Sequence, residues 1–364
     1  MKKFLKIDKS ILIISILLVI FGLLMVYSAS NVVALYKYND SLYIFKRQAI
    51  FALIGITLMF VIININIEKI LKLSTVFFII SIILLILVLI PGIGVVRGGA
   101  RSWIGFGSFS VQPAEIVKLT LIIFLSRLIT KLDYKLNKLK YFSLTLLIVI
   151  GVFGIIMLQP DFGTGLVIVL SSILVIFSSG VSLIYFFVIG GIGILGLLAL
   201  ILAAPYRLER IFAFLDPWSD PLGSGFQAIQ SLFSIAPSGI FGLGFNNSMQ
   251  KHFFLPEPQN DFIFAIICEE LGLIGGLILI GAFLYIIIRI LVLSTKMKNN
   301  SYKLILIGVS TSIFVQVFIN LGVVIGLLPV TGITLPIISY GGSSLIFTLI
   351  MLGLCINISK YREE

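Results

Sequence analysis

The chain has 364 residues, of which 59% are hydrophobic and 11% charged, and its mean hydropathy is +1.20. Soluble domains carry about 25% charged residues, so this composition excludes an ordinary soluble enzyme and indicates a single membrane domain over residues 1–364. The net charge of +11 is typical of membrane proteins, in which Lys and Arg set the topology. No soluble basic face suits nucleic acid, and the single histidine, His252, excludes a multi-His metal site.

Ten apolar segments approach the length of about 20 residues that a bilayer requires. The first follows a basic start, but it is long and further spans follow, so it predicts a retained helix rather than a cleaved signal peptide. The sequence therefore predicts an all-α integral membrane fold. The predicted spans are 11–28, 49–66, 73–91, 113–130, 142–158, 164–180, 183–203, 262–290, 304–327 and 336–357.

Basic clusters lie before the first span and after the second, fourth, eighth and tenth spans. Because Lys and Arg accumulate in cytoplasmic loops, this pattern places both termini in the cytoplasm. The large loop 204–261, between spans seven and eight, is then extracellular, and its length predicts surface or re-entrant helices within it. No nucleotide-binding motif is present, so a synthetic reaction on the outer face needs a donor activated in advance, such as a lipid pyrophosphate.

Three carboxylates stand out where the large loop enters the eighth span. Asp261 is most simply an N-cap, but beside Glu257 at the membrane edge it is also a candidate general base. Glu269 and Glu270 follow within the span, about 100° apart in helical projection, so we expect them not to face one partner together. A charge in a span should face protein, a cavity or a cation, either as an interior salt bridge or as support for a site.

Two cation-bearing clusters lie at the predicted outer face. Glu115 and Lys118 share one helix face at spacing i, i+3, which suits a structural ion pair or a phosphate-binding pair. Arg101 and Trp103 lie on a Gly-rich connection. They would bind a lipid headgroup phosphate or a sugar, or would anchor the chain at the membrane interface.

Two polar turns complete the candidate site. Asp161 in QPDFGTG suits a tight external turn, where Asp and Gly are favoured. The segment LLPVTGITLPIISYGGSS contributes Ser339, Tyr340 and Ser343. Its glycines and small hydroxyls either permit close helix packing or line a groove for a lipid-linked ligand.

Five ordered motifs resemble those of the SEDS family, represented by FtsW, RodA and SpoVE, from about residue 8 to residue 360. The sequences LDPWSDP and LPEPQ, together with Gln227, are more similar to the FtsW/SpoVE branch than to RodA. The motifs are RSWIGFGSFSVQPAEIVKL, QPDFGTG, LDPWSDPLGSGFQAIQSL, LPEPQNDFIFAIICEELGLIGG and LLPVTGITLPIISYGGSS.

The resemblance implies ten spans with cytoplasmic termini in the bacterial cytoplasmic membrane. It implies a peptidoglycan glycosyltransferase that polymerises lipid II on the outer face and releases undecaprenyl pyrophosphate. The implied partners are a class B penicillin-binding protein and other divisome or elongation proteins. A divalent cation, Mg²⁺ or Mn²⁺, would suit the pyrophosphate, with its ligands unassigned, and no nucleotide or organic cofactor is expected.

The family's motifs also imply roles for single residues. The essential aspartate of P-E-x-x-T-D-F falls on Asp261, the loop Arg-x-Trp on Arg101 and Trp103, and P-S-E-x-x-K on Glu115 and Lys118. In the resulting hypothesis, Asp261 deprotonates the acceptor sugar hydroxyl, and Glu115 orients Lys118. The cations that steady the pyrophosphate are Arg101, Lys118 and Lys251.

The chain departs from the family pattern at two positions. Asn260 stands where Thr is usual, and Ala114 replaces the Ser before the glutamate, so local geometry beside the key residues differs. Three other functions are open: a lipid II flippase with Glu269 and Glu270 in its path, a RodA-like elongation polymerase, and a scaffold that recruits the transpeptidase.

Overall fold

The computed structural model describes residues 7–97, 99–106, 109–202 and 205–363. Helices dominate these ranges, and three short strands form one antiparallel sheet. The strands are β1 Gly94–Arg97, β2 Ala100–Phe106 and β3 Phe109–Val111. The α-helices are α1 Lys9–Tyr38, α2 Tyr43–Asn64, α3 Ile67–Leu87, α4 Pro113–Leu132, α5 Leu139–Met157, α6 Phe162–Phe177, α7 Leu183–Leu202, α8 Pro205–Leu215, α9 Phe226–Ile235, α10 Ile263–Thr295, α11 Asn300–Val324 and α12 Gly342–Ile358.

Each of the ten predicted spans coincides with a helix. In the described part of the chain, seven helices are long and apolar enough to cross a membrane, namely α1, α2, α3, α5, α10, α11 and α12. Two shorter apolar helices lie over Phe162–Phe177 and Leu183–Gly196. The large loop contains α8 and α9, which confirms that it is not a structureless connection.

The prediction of a purely α-helical fold is wrong for the connection 92–112. This segment forms the sheet, in the order β1-β2-β3. Trp103 lies opposite Val95, and Ile104 lies opposite Val111. Aromatic and β-branched residues pack well across strands, and they outweigh the neighbouring glycines here.

All ten helices differ from their predicted bounds by one or more residues. The largest difference is at α1, which continues to Tyr38, ten residues past the predicted end at residue 28. The last predicted span, 336–357, becomes helical only at Gly342, because the segment before it is a turn in which Leu335 N donates to Ser339 Oγ (2.8 Å). α10 runs to Thr295 but is interrupted at Gly272, where φ is +66°. A positive φ is accessible to Gly at little cost, so Gly272 permits a break inside a long helix.

Within the helix bundle, α11 packs against α4, α6, α10 and α12. Both ends of the described chain meet at one end of this bundle, hereafter the terminal end. There the backbone N–H of Asp8 donates to Ser359 Oγ at 2.9 Å, and Arg362 Nη1 lies 3.5 Å from Asp8 Oδ2.

Candidate active site

Asp261 lies directly before α10, and the helix begins without it. The N-cap of α10 is Phe262, and no side chain caps this helix end, so the N-cap interpretation of Asp261 is wrong. The Asp261 side chain is half-buried, and its backbone carbonyl accepts a hydrogen bond of 2.7 Å from Asn320 Nδ2. The carboxylate is therefore free of a capping role, and the backbone that carries it is held by α11.

The environment of Asp261 makes its carboxyl a stronger base than an ordinary aspartate. The pKa of Asp261 is raised to about 6, chiefly by burial and to a smaller extent by the charge of Glu257, while a backbone hydrogen bond and the charge of Arg210 oppose the rise. A carboxylate with a pKa near 6 is ionised at neutral pH and still binds a proton more readily than a solvated one. This matches what general-base catalysis near neutral pH requires.

Glu257 lies on the exposed side of the loop that leads to Asp261. Its backbone has a φ of +44°, and its Oε2 accepts a hydrogen bond of 2.7 Å from Asn260 Nδ2. Asn260 is one of the two departures from the family pattern. Its amide orients Glu257, whose charge acts on Asp261.

Lys118 and Glu115 form a buried ion pair on the first turns of α4. Lys118 Nζ lies 2.7 Å from Glu115 Oε2, and the two side chains are 1% and 6% exposed. Lys118 Nζ also donates to Gln316 Oε1 of α11 at 2.9 Å. The i, i+3 pairing is therefore as predicted, and the ammonium is enclosed by these partners.

One face of α11 connects the Lys118 pair with Asp261. Gln316 and Asn320 are four residues apart, so they lie on the same face about 6 Å from each other along the axis. The side chain of Gln316 accepts a hydrogen bond from Lys118 Nζ and donates one to Thr334 O at 3.0 Å. Asn320 Nδ2 donates to Ile333 O and to Asp261 O, both at 2.7 Å. The two clusters, far apart in the sequence, thus flank one segment at residues 333–334.

Residues 335–343, which belong to the segment LLPVTGITLPIISYGGSS, are held to three other elements. Tyr340 N donates to Gln259 O at 2.8 Å, which joins the turn to the loop before Asp261. Gln48 Nε2 of α2 donates to Ser339 O at 3.0 Å, and Gln112 N donates to Ser343 Oγ at 3.0 Å. Ser339, Tyr340 and Ser343 thus fix the wall beside the Asp261 loop.

Asp161 caps α6 instead of forming a simple turn. Its Oδ1 accepts from Thr164 N at 3.2 Å, and its Oδ2 accepts from Gln112 Nε2 at 2.7 Å. Burial raises the pKa of this carboxyl, and the hydrogen bonds from Thr164 and Gln112 oppose the rise. Asp161 therefore ties α6 to the start of α4.

Glu269 and Glu270 are both buried and both contact the loop segment 246–251. Glu269 accepts hydrogen bonds from Ser248 Oγ (2.5 Å) and Met249 N (2.8 Å). Glu270 accepts from Ser28 Oγ of α1 (2.6 Å), and the backbone N–H groups of residues 246 and 248 donate to it at 3.0 and 3.2 Å. The prediction that the two glutamates do not share a partner is wrong.

Glu269 and Glu270 contact the same loop segment because the loop before α10 packs against a break in that helix. The backbone N–H groups of Leu243 and Gly244 donate to the carbonyls of Glu269 and Glu270, both at 2.9 Å. Those carbonyls are available because the helix is interrupted at Gly272. The loop wraps around the helix and meets side chains that project in different directions.

Lys251 lies inside this arrangement. Its Nζ donates to Asn246 O and Asn246 Oδ1, each at 2.6 Å, and lies 3.4 Å from Glu270 Oε1. Burial lowers the pKa of Lys251, and the charges of Glu270 and Glu269 oppose this. Lys251 is thus the cation beside the two glutamates, and contact with a pyrophosphate stays a prediction.

The remaining predicted residues lie on separate elements. Arg101 and Trp103 project from the same face of β2 because side chains alternate along a strand, and both are half-buried. Ser102, between them, is buried on the other face. Gln227 is half-buried in the first turn of α9.

A divalent cation would find a limited donor set here. Within the described ranges, no three His, Cys, Asp or Glu side chains converge as metal ligands. Mg²⁺ is often bound by one or two carboxylates together with waters and substrate phosphates. Glu257, exposed next to Asp261, fits that requirement as a single carboxylate ligand.

Sequence reasoning missed five residues that organise the site. Gln316 and Asn320 are amides inside an apolar span, and a polar group in a span indicates an interior partner; that signal was present. Gln48 and Gln112 lie at span ends, where polar residues are common, so nothing distinguished them. Arg210, whose charge acts on Asp261, lies in the large loop without a motif.

Comparisons with known proteins agree with the motifs. Residues 8–364 match the family model FTSW_RODA_SPOVE, described as "Cell cycle protein". The chain is 47% identical over 357 residues to stage V sporulation protein E of Bacillus subtilis (strain 168), covering 98% of both proteins. It is 39% identical over 361 residues to the "Probable peptidoglycan glycosyltransferase FtsW" of Coxiella burnetii (strain RSA 493 / Nine Mile phase I), covering 98% of this chain and 97% of the relative.

Solved structures show the same fold. The chain matches one chain of the structure called "Structural coordination of polymerization and crosslinking by a peptidoglycan synthase complex" with a TM-score of 0.80 and 31% identity, covering 98% of this chain and 99% of the other. It matches the rod shape determining protein RodA of Thermus thermophilus with a TM-score of 0.73 and 27% identity, covering 98% of both. These matches extend over nearly the whole chain, and the chain therefore belongs to the FtsW/RodA/SpoVE family.

Proposed function

We propose that this protein is a peptidoglycan glycosyltransferase that polymerises lipid II at the outer face of the bacterial cytoplasmic membrane. The observation that carries the proposal is Asp261, a half-buried carboxylate with a pKa raised to about 6 at the end of a polar loop. The names of the relatives, stage V sporulation protein E and FtsW, favour a role in sporulation or division over RodA-like elongation.

The proposed topology has ten spans, with both termini in the cytoplasm and the loop 204–261 outside. The contact between Asp8 and Ser359 supports an even number of spans, because it brings the two ends of the chain together. The basic clusters near those ends support the cytoplasmic assignment. Asp261 then lies at the opposite, outer boundary.

The proposed reaction is an inverting glycosyl transfer. The acceptor sugar hydroxyl attacks the anomeric carbon of the donor, its proton passes to a carboxylate oxygen of Asp261, and the bond to the pyrophosphate breaks. Undecaprenyl pyrophosphate leaves with the electron pair of that bond. Burial keeps Asp261 poorly solvated, which strengthens the carboxylate as the base in this step.

The leaving pyrophosphate needs positive charge around it. Arg101, half-buried near Trp103 on β2, is the most accessible of the predicted cations, because Lys118 and Lys251 are enclosed by carboxylate and amide partners. A divalent cation held by Glu257 and the substrate phosphates would neutralise further charge when bound.

The proposed partner is a class B penicillin-binding protein, which cross-links the glycan strands as they form. The likeness to a chain from a peptidoglycan synthase complex supports this pairing. Other divisome or elongation proteins would bind the same assembly.

The flippase alternative is less well supported. A translocation path needs polar groups that are free to exchange partners with the lipid headgroup. Glu269 and Glu270 instead accept several hydrogen bonds each from the segment 246–251 and neighbouring hydroxyls. A reconstituted flipping assay that shows lipid II transport without polymer formation would reverse this judgement.

The deciding experiment is lipid II polymerisation by the purified protein with its transpeptidase partner. We expect Asp261→Asn to lower the rate at least about 100-fold, as is usual when a general base is removed. The matched control is Asp40→Asn, which removes a surface carboxylate paired with Lys46 in another predicted outer connection. It should leave the rate unchanged.

Folding and partner binding must be intact in both variants, which size-exclusion chromatography of the complex measures. Full activity of Asp261→Asn in an intact complex would show that Asp261 takes no part in the chemistry. It would favour the scaffold alternative if the partner alone then polymerised lipid II at the same rate.

A further inference from the structure

A small cavity lies at the terminal end of the bundle, away from Asp261. Its volume is 270 Å³, and its lining includes Asp8, Arg289, Val292, Lys296 and Arg362. Ligand pockets for drug-sized molecules usually measure about 300–1,000 Å³. The cavity therefore suits a compact group such as a phosphate with a short substituent.

The cavity carries an excess of positive charge. Asp8 is buried, and its Oδ2 accepts from Arg289 Nε at 2.9 Å and lies 2.8 Å from Arg289 Nη2. Arg362 lies 3.5 Å from the same oxygen. The other lining carboxylate, Glu363, pairs with Lys298, so four cations, with Lys298 included, face the two carboxylates.

The cations are anchored but still accessible. The side chains of Arg289 and Arg362 are 40% and 32% exposed although both contact Asp8. A guanidinium has five N–H donors, so each retains donors for an anion after pairing with Asp8. An anchored cation loses less conformational freedom on binding than a mobile one.

Lys296, the residue just after α10, continues the helix face that carries Arg289. Arg289 and Val292 lie three residues apart on α10, and Lys296 follows four residues later as the exposed C-cap. Val292 places an exposed apolar surface between the two charges. A face that offers cations around an apolar patch suits a ligand with an anionic head and an apolar body.

We propose that this cavity binds the phosphate of an anionic phospholipid headgroup in the membrane leaflet at the terminal end. Basic pockets between helices on the cytoplasmic side are known to accept such headgroups. The cavity lies at the end of two helices, α1 and α10, that are long and apolar enough to span a bilayer, which puts it at headgroup depth. The site is separate from the proposed polymerisation chemistry and does not depend on it.

The test measures lipid binding by the full-length protein in neutral detergent. Native mass spectrometry follows titrations with phosphatidylglycerol and with zwitterionic phosphatidylcholine. The variant is the double substitution Lys296→Gln/Arg362→Gln, which leaves the Asp8–Arg289 pair in place. The matched control is Lys69→Gln, an exposed lysine near the same end of the bundle but outside the cavity.

We expect wild type to prefer phosphatidylglycerol and the double variant to lose at least about 30-fold in affinity for it, since two direct charge-assisted contacts to the phosphate are lost. Lys69→Gln should change the affinity less than twofold. Equal losses in both variants, or equal binding of the two lipids, would overturn the proposal. Competition by millimolar glycerol phosphate that depends on Lys296 and Arg362 would show a soluble phosphate site and overturn the assignment to a lipid.

Discussion

The acid limb of the pH–rate profile tests the role of Asp261 directly. Its pKa of about 6 arises chiefly from burial, and the base acts only when it is ionised. About one carboxyl in ten is then ionised at pH 5 and about nine in ten at pH 7, so the polymerisation rate should fall as the pH drops through 6. An ordinary aspartate would place this limb near pH 4.

Two neighbouring charges should move that limb in opposite directions. Glu257 raises the pKa of Asp261, so Glu257→Gln should shift the limb to lower pH. Arg210 lowers that pKa, so Arg210→Gln should shift the limb to higher pH. Opposite shifts require that the titrating group is near both charges, because an anion raises and a cation lowers the pKa of a neighbouring carboxyl. An effect on overall stability would not produce shifts of opposite sign.

The assay is the initial rate of lipid II polymerisation between pH 5 and pH 8, with the protein stable throughout the range. Asp40→Asn is the control for a general charge effect and should keep the limb of the wild type. A rate that stays constant from pH 7 to pH 5 would refute the assignment of Asp261 as the base. Shifts of the same sign in Glu257→Gln and Arg210→Gln would refute the electrostatic account of its pKa.

Three further substitutions test the packing around the site. Lys118→Met leaves Glu115 buried without its cation, so we expect about 3–5 kcal/mol of destabilisation, measured as a lower thermal midpoint in detergent. Glu270→Gln places an amide donor where loop N–H groups donate, and the loop should become sensitive to limited proteolysis; unchanged protection would contradict the role of this carboxylate. Gly272→Ala adds a Cβ against backbone at a φ of +66° and should destabilise strongly, whereas Gly281→Ala, in open space, should not; equal thermal midpoints would contradict this.

Apolar run length and the placement of Lys and Arg were enough to predict ten helices, because those features report the cost of burying charge in a bilayer. The sheet at 94–111 was not predictable in the same way. Glycines on both sides of Arg101 and Trp103 are typical of a loop, and strand formation depended on cross-strand pairs such as Val95 with Trp103. Such pairing is a tertiary contact, and β-propensity depends strongly on context.

Motif resemblance identified Asp261, Glu115 and Lys118, but no spacing in the sequence relates the first to the other two. The relation is made by α11, where Gln316 Oε1 accepts from Lys118 Nζ and, one turn away, Asn320 Nδ2 donates to Asp261 O. Because one turn of an α-helix advances about 5.4 Å, a rigid α11 fixes the spacing between the buried cation and the proposed base.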